Sequence, residues 1–292
     1  MRLTVFIQTN DQQLLGAKVA AYALKKQSKS PDAFDIEIMR AQDFEALQEY
    51  HGQTYLREGA TNIWNANDLQ SFTLTRFLPP QLMQYQGRAI VIDPDVFACA
   101  DIMELFNRDM KGRAILAKPI QSRNGLSRCY ASSVMLLDCE KLRHWQWEEN
   151  LKDLFSMRRD YRHWMSLLLE EPETIGQLEE EWNHYDTLTP STKLLHNTQR
   201  ITQPWKTGLP ANFALGKKVP LKSKIKSWVK ESLNWNQDTA PRKFLRHPDP
   251  AQEKLFFDLL RECLETGEIS NALVLDQVSL GYIRPDSLSL VS

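Results

Sequence analysis

The sequence predicts an α/β protein built on a parallel sheet, and three stretches carry that prediction. Residues 3–7, a helical pattern over 14–26 and a short apolar run over 36–39 form a β-α-β opening. Such a crossover joins parallel strands with a right-handed sense. Further on, Ala89, Ile90, Val91 and Ile92 form an unbroken run of small and β-branched apolar residues, as in a strand covered on both faces. Asp93, Pro94 and Asp95 follow directly, placing two carboxylates at the carboxyl end of that strand, where open α/β sheets bind their ligands.

Taken in order, Thr9, Asn10 and Asp11 close the first strand with turn and helix-capping chemistry, and Leu15, Val19 and Tyr22 or Ala23 give the next helix its apolar side. Residues 43–50 read as helix and 51–64 as irregular. The stretch 66–77 reads as a helix that delivers Arg76 toward the sheet and is halted by Pro79 and Pro80. In a straight strand Asp93 and Asp95 would face opposite ways. Pro94 fixes its own φ and lacks a ladder donor, so the chain bends there and both carboxylates can serve one hard cation. The alternative is a turn carrying two solvated acids. Asp101 caps a short helix reaching Phe106. Residues 114–117 and 133–137 read as strands around a polar loop over 122–127. The stretches 141–155, 162–170 and 174–182 read as helices, and 193–196 as a short strand ending in a histidine. Composition shifts near Thr207, where Gly208, Pro210, Gly216 and Pro220 punctuate a loop. Beyond it, 222–233 reads as an amphipathic helix with Leu221, Ile225, Trp228 and Val229 on one side and Lys222, Lys226 and Lys230 on the other. Residues 234–250 read as a linker, 251–265 as a helix and the remainder as a loose tail.

An apolar share of 42% and a charged share of 25% over 292 residues are those of an ordinary globular chain able to bury a sizeable core. A formal net charge of −1 gives no global field for nucleic acid. The four cysteines, Cys99, Cys129, Cys139 and Cys263, show no metal-finger spacing and read as reduced, buried thiols. The start runs from Met1 into a strand too short for a secretory signal core, and no apolar run approaches the ~20 residues of a membrane helix. A soluble, cytoplasmic protein is the expectation.

Motif order adds a resemblance. Arg76-Phe77-Leu78-Pro79, then residues 87–96 ending in Asp93-Pro94-Asp95-Val96, then Asp101-Ile102-Met103-Glu104-Leu105-Phe106 is similar to the core of the family 8 glycosyltransferases. These GT-A-fold enzymes include glycogenin and the bacterial lipopolysaccharide galactosyl- and glucosyltransferases. Residues 130–137 resemble the family's strand before its donor-sugar site, and His196 to Pro204-Trp205 resembles its closing histidine-to-Lys-Pro-Trp segment. The likeness covers residues 1–206, leaving 207–292 as a small helical C-terminal region.

The resemblance implies a GT-A nucleotide-diphospho-sugar transferase fold, a mixed, mostly parallel sheet flanked by helices. It implies a retaining hexosyltransferase that uses a nucleotide-diphospho-sugar, with UDP-sugar favoured, and a glycan or lipid-linked hydroxyl acceptor. Asp93, Asp95 and His196 would hold Mn²⁺, or Mg²⁺, and imidazole favours Mn²⁺. Thr9, Asn10 and Asp11 would meet the nucleoside, Arg76 the phosphates and sugar, and Ser132 and Ser133 the donor-sugar side. Each also has a plain reading as a cap, a helix-end arginine or a core group. Three departures stand out. Gln199 and Gln203 replace the family's closing glycine and lysine, with Arg200 or Lys206 as substitutes for the missing ammonium. Residues 131–133 read Ala-Ser-Ser where the family has a glycine. No Asp-Gln-Asp segment is present, and Asp160 is the catalytic stand-in. The lysine-bearing helix of 222–233 either packs on the catalytic domain or gives peripheral contact with an anionic membrane surface. A catalytically impaired sugar-nucleotide-binding protein of the same fold is the rival reading. A dehalogenase-type phosphatase, by contrast, would carry its aspartates on the first strand.

Overall fold

Val5, Phe6 and Ile7 are all fully buried, so the strand that holds them must sit inside a sheet covered on both faces. The computed structural model describes residues 2–121, 129–211 and 243–292. It places β1 (Leu3–Thr9) between β2 (Asp35–Arg40) and β5 (Arg88–Ile92), parallel to both. The sheet continues through β8 (Cys129–Asp138), β7 (Ile115–Ile120) and β9 (Ile175–Gln177), giving the six-stranded order β2-β1-β5-β8-β7-β9. Only β8 opposes its neighbours, while β7 and β9 pair in parallel, so the sheet is mixed and mostly parallel. Successive residues of β1 and β5 feed opposite cores. Val5, Ile7, Ile90 and Ile92 join a cluster with α1 (Leu14–Gln27), whereas Phe6, Ala89 and Val91 join one with Trp145, Trp147 and Trp164. Those tryptophans are core residues.

Pro94 is the corner between two sheets. After β5 the chain turns into β6 (Val96–Ala98), which pairs antiparallel with β11 (Leu194–His196), itself parallel to β10 (His184–Tyr185). The register sets His196 opposite Val96, one residue from Asp95. Helix α1 packs so closely on this corner that a Cβ at Gly16 would lie 2.7 Å from the Pro94 carbonyl oxygen.

Several sequence expectations need correction. Residues 51–64 are not irregular: β3 (Thr54–Arg57) and β4 (Ala60–Ile63) form a hairpin. Its two-residue turn is Glu58-Gly59 with φ of 53° and 73°, a weaker sequence signal than Asn-Gly. The stretch 66–77 forms only a 3-10 segment over Ser71–Phe77, and Pro79-Pro80 open the short helix Pro79–Leu82 rather than stop one. Residues 174–182 are not a helix but β9 and a 3-10 turn, Glu180–Asn183. Gly176 lets β9 approach β7, since a Cβ there would sit 2.4 Å from Leu116. The expected helices over 43–50, 141–155 and 162–170 shorten to Glu45–Gln48, Trp147–Phe155 and Tyr161–Met165. The C-terminal tail is not loose: past the helix Pro250–Glu265, a further helix, Asn271–Ser279, and the buried Ile283 and Val291 join the same core as α1. The polar loop of 122–127 and the lysine-bearing helix of 222–233 lie outside the described residues. No disulfide joins the four cysteines, of which Cys129, Cys139 and Cys263 are buried as expected and Cys99 is half-buried, and no helix among the described residues is long and apolar enough to cross a membrane.

Gly16→Val puts a branched side chain against the Pro94 backbone. The expected loss is about 1–3 kcal/mol, the usual cost of overpacking, read from the urea midpoint. The double variant Gly16→Val/Pro94→Ala leaves that carbonyl in place and should recover little.

Candidate functional site

The corner at Pro94 turns both carboxylates into one buried space. The Asp93 backbone donates to Ser133 O at 3.1 Å, and Asn197 N donates to Asp95 O at 3.0 Å, so both sheets hold the motif by main-chain bonds. Asp93, Asp95 and His196 are 6%, 9% and 5% exposed, and one ligand atom from each lies within 4.8 Å of the others. His196 Nε2 stands 3.3 Å from Asp95 Oδ1 and 3.9 Å from Asp93 Oδ2.

Arg76 supplies the countercharge. Leaving the 3-10 segment Ser71–Phe77, its guanidinium donates to Asp93 Oδ1 and Oδ2 at 2.8 and 2.6 Å and to Ser132 Oγ at 3.1 Å. Ser132 Oγ in turn donates to Met165 O at 2.6 Å. Burial pulls the Arg76 pKa down, but the charge and hydrogen bonds of Asp93, together with Tyr161 and Tyr185, outweigh it and the net direction is up. Burial raises the Asp93 carboxyl, and Arg76 and His196 oppose that rise without cancelling it. For His196, burial acts downward and is outweighed by Asp95 and Asp93, so its pKa rises.

Side-chain amides surround the ligands. Gln8 Nε2 donates to Asp93 Oδ1 at 2.6 Å, Gln203 Nε2 to Asp95 Oδ2 at 2.9 Å, and Gln13 Nε2 to Gln203 Oε1 at 3.3 Å. Asn183 Oδ1 lies 2.8 Å from His196 Nδ1. Of the buried oxygens in this shell, Gln8 Oε1, Gln13 Oε1 and Asp95 Oδ1 accept no hydrogen bond among the described residues, and the one that belongs to a ligand is Asp95 Oδ1. That orphan faces an imidazole nitrogen, and adjacent ligands of a ~2.1 Å octahedral cation stand about 3 Å apart, so the donor set fits a divalent ion. The cavity in front has a volume of about 120 Å³, and Gln70, Phe72, Thr198 and Arg200 also line it. This is room for a hydrated ion or a phosphate group and well below the ~300 Å³ of a small-ligand pocket.

The structure brings Asp93, Asp95, His196, Arg76 and Ser132 together, with Ser133 joined through Asn183 Nδ2 at 3.1 Å. Arg200 lines the cavity and donates to Gln70 Oε1. The other candidates point elsewhere. Thr9 Oγ1 donates to Asn10 O, and Asn10 Nδ2 is held by Asp68 O, Leu69 O and Ser71 Oγ, so this pair anchors the 68–71 loop. Asp11 pairs with Arg40 at 2.7 Å in a partly exposed position. Asp160 caps the helix Tyr161–Met165, accepting from Arg162 N, His163 N and Gly59 N, and does not line the cavity. These backbone donors hold its carboxyl below the usual range, against the opposing pull of burial. Lys206 donates to Gln12 O and Tyr282 O at 2.9 Å each, joining the C-terminal region to the turn before α1. Sequence reasoning missed Gln8, Gln13 and Asn183. A polar residue ending the apolar run of β1 was a usable sign for Gln8; nothing marks Asn183.

No family model matches this chain, and no curated protein does. Among solved structures it is similar to the glycosyltransferase GlyE of Streptococcus pneumoniae, at 16% identity and a TM-score of 0.49. That likeness covers 91% of this chain and 64% of GlyE, so the chain spans under two thirds of that protein's length. It is also similar to the galactosyltransferase LgtC, at 16% identity and TM-score 0.46 over 70% of this chain and 89% of LgtC. A third is mouse xyloside xylosyltransferase 1, at 14%, TM-score 0.43, over 68% of this chain and 98% of that one. Likeness at this level carries no conclusion about chemistry, which rests on the residues of the cavity.

Two outcomes follow. Arg76→Met strands a buried carboxylate and should cost about 3–5 kcal/mol in the urea midpoint at neutral pH. Burial pushes the Lys206 ammonium down to about 7 from 10.5. Between those values the unfolded chain holds a proton that the folded chain has released, so this group makes stability rise with pH. Lys206→Met should flatten that rise in urea midpoints taken from pH 7 to 10.

Proposed function

We propose that the chain is a metal-dependent, retaining glycosyltransferase of the GT-A type that moves a hexose from a nucleotide-diphospho-sugar to a hydroxyl acceptor. The observation that carries this reading is the buried Asp93, Asp95 and His196 cluster with an orphaned carboxylate oxygen at the end of a covered strand. Asp93, Asp95 and His196 would hold Mn²⁺ or Mg²⁺, which when bound supplies a Lewis acid against the departing diphosphate. Arg76 neutralises Asp93 and fixes its orientation. Arg200, on the cavity wall, offers a guanidinium to diphosphate oxygens. Transfer breaks the bond from the sugar carbon to the diphosphate oxygen and forms one to the acceptor oxygen on the same face. The acceptor proton leaves on the diphosphate. Such a front-side route needs no protein nucleophile, and positioning and charge do most of the work. The resemblance of the motifs favours a uridine donor and a glycan or lipid-linked acceptor. The charge pattern of residues 222–233 extends the proposal to peripheral contact with the inner face of a membrane.

A second reading has its own observation. Gln203 stands where the family has a lysine and binds Asp95 instead of offering an ammonium, which suits a sugar-nucleotide binder without turnover.

Calorimetry with UDP should show Mn²⁺-dependent binding by the wild type that Asp95→Asn weakens at least tenfold. Slow hydrolysis of a UDP-hexose without acceptor would then favour the transferase over the binder. UDP binding indifferent to Mn²⁺ and to Asp95 would rule out both.

A further inference from the structure

Asn183 is fully buried, and a buried carboxamide must place four hydrogen-bonding positions somewhere. Its surroundings leave little choice. The backbone carbonyl accepts from Lys118 Nζ at 3.1 Å, and that ammonium also lies 4.0 Å from the centre of the Tyr185 ring. Lys118 reaches it from the point where the β7–β8 register slips, between Ala117 and Lys118. The same slip frees Ser133 from β7, and Ser133 Oγ accepts from Asn183 Nδ2 at 3.1 Å. With the nitrogen committed to Ser133, the oxygen Oδ1 is the atom turned to His196 Nδ1, 2.8 Å away. The Tyr185 ring meets the imidazole edge-on at 5.4 Å and closes the remaining side.

We propose that Asn183 is the positioning residue of the metal centre. Its oxygen accepts the Nδ1 proton of His196, which leaves the Nε2 lone pair pointing at the space shared with Asp95 Oδ1 and Asp93 Oδ2. Imidazole binds a metal through one nitrogen only when the other carries the hydrogen, and outer partners of this kind fix both the tautomer and the ring plane. A neutral amide does this without adding a charge beside two carboxylates. The register slip between β7 and β8 falls at Lys118, whose ammonium holds the Asn183 carbonyl, and opposite the stretch of β8 that carries Ser133. The inference rests on the metal-centre part of the proposed function and on no assumption about the sugar.

The test uses the full chain and Mn²⁺ alone, titrated by electron paramagnetic resonance, with the wild type, Asn183→Leu, His196→Ala and the double variant. Outer-shell partners typically contribute 10–100-fold in metal affinity, so Asn183→Leu should weaken Mn²⁺ by that much. If Asn183 acts only through His196, the double variant should bind no more weakly than His196→Ala by itself. Losses that multiply in the double variant would overturn the role, because a merely structural residue weakens the site whether or not the imidazole is there. Unchanged binding in Asn183→Leu would overturn it as well. Should Asn183→Leu not fold, Asn183→Asp decides: it keeps an acceptor for Nδ1 and should bind Mn²⁺ at least as tightly as the wild type, and a tenfold loss would count against the role. Absence of Mn²⁺ binding by the wild type would remove the metal centre itself, whereas failure confined to the Asn183 variants leaves that centre standing.

Discussion

The buried ion pair between Arg76 and Asp93 is the constraint on which the rest of the arrangement depends. A carboxylate 6% exposed at the end of a covered strand is tolerable only with a partner. Arg76 provides it in a bidentate grip, Nη2 donating to Oδ2 at 2.6 Å and Nε to Oδ1 at 3.3 Å. The grip also has a structural consequence. It ties the 3-10 segment Ser71–Phe77, and through it the loop that Asn10 anchors, to the end of β5. The wall of the cavity that carries Leu69, Gln70 and Phe72 is therefore positioned by the same contact that neutralises Asp93.

Around that pair the chain uses geometry in place of further charge. Pro94 ends one sheet and begins another, so the motif is held by β8 on one side and β11 on the other. Gly16 permits α1 to press on the corner from behind. Gln8 from β1, Gln203 from the loop before Trp205 and Asn183 from the turn before β10 each touch a different ligand. The C-terminal helices join this frame through Asn197, the residue after His196, whose amide donates to Gln252 Oε1 at 2.6 Å. Residues 250–291 thus help to set the end of β11 while sharing a hydrophobic cluster with α1.

Much of the centre was legible in the sequence, and the reason is physical. A buried strand followed by Asp-Pro-Asp is a costly combination, and cost is what local reasoning detects. The strands β1, β2, β5 and β11 and the helix Leu14–Gln27 follow from apolar runs or a 3.6-residue period. Hidden were the elements decided by partners far along the chain. Ile175-Gly176-Gln177 is a strand because β7 lies beside it, and the hairpin turned by Glu58-Gly59 is held where Phe155 packs on Tyr55 of β3. The outer amides were hidden for the same reason: Gln203 and Asp95 are 108 positions apart, and nothing local couples them. Asp11, Asp160 and Lys206 had the right chemistry for a site, but nearer partners take them: Arg40, the helix end after Asp160, and the carbonyls of Gln12 and Tyr282.

Gln203 has a meaning that charge counting makes plain. With His196 neutral, as a metal ligand must be, two carboxylates and one guanidinium leave the immediate shell with a single negative charge, resting on Asp95, while Asp93 is compensated. An ammonium at position 203 within reach of Asp95 would cancel that charge and compete directly with a cation for the same oxygens. A glutamine avoids the conflict: its amide takes only Asp95 Oδ2 and leaves Oδ1 without a hydrogen bond. A positive charge stands instead on the cavity wall, where Arg200 lies beside Gln70. The ligand end of the cavity is thereby left negative and its wall positive. Under the proposed function, the replacement at 203 leaves Asp95 to the cation and assigns the diphosphate to a guanidinium in place of an ammonium.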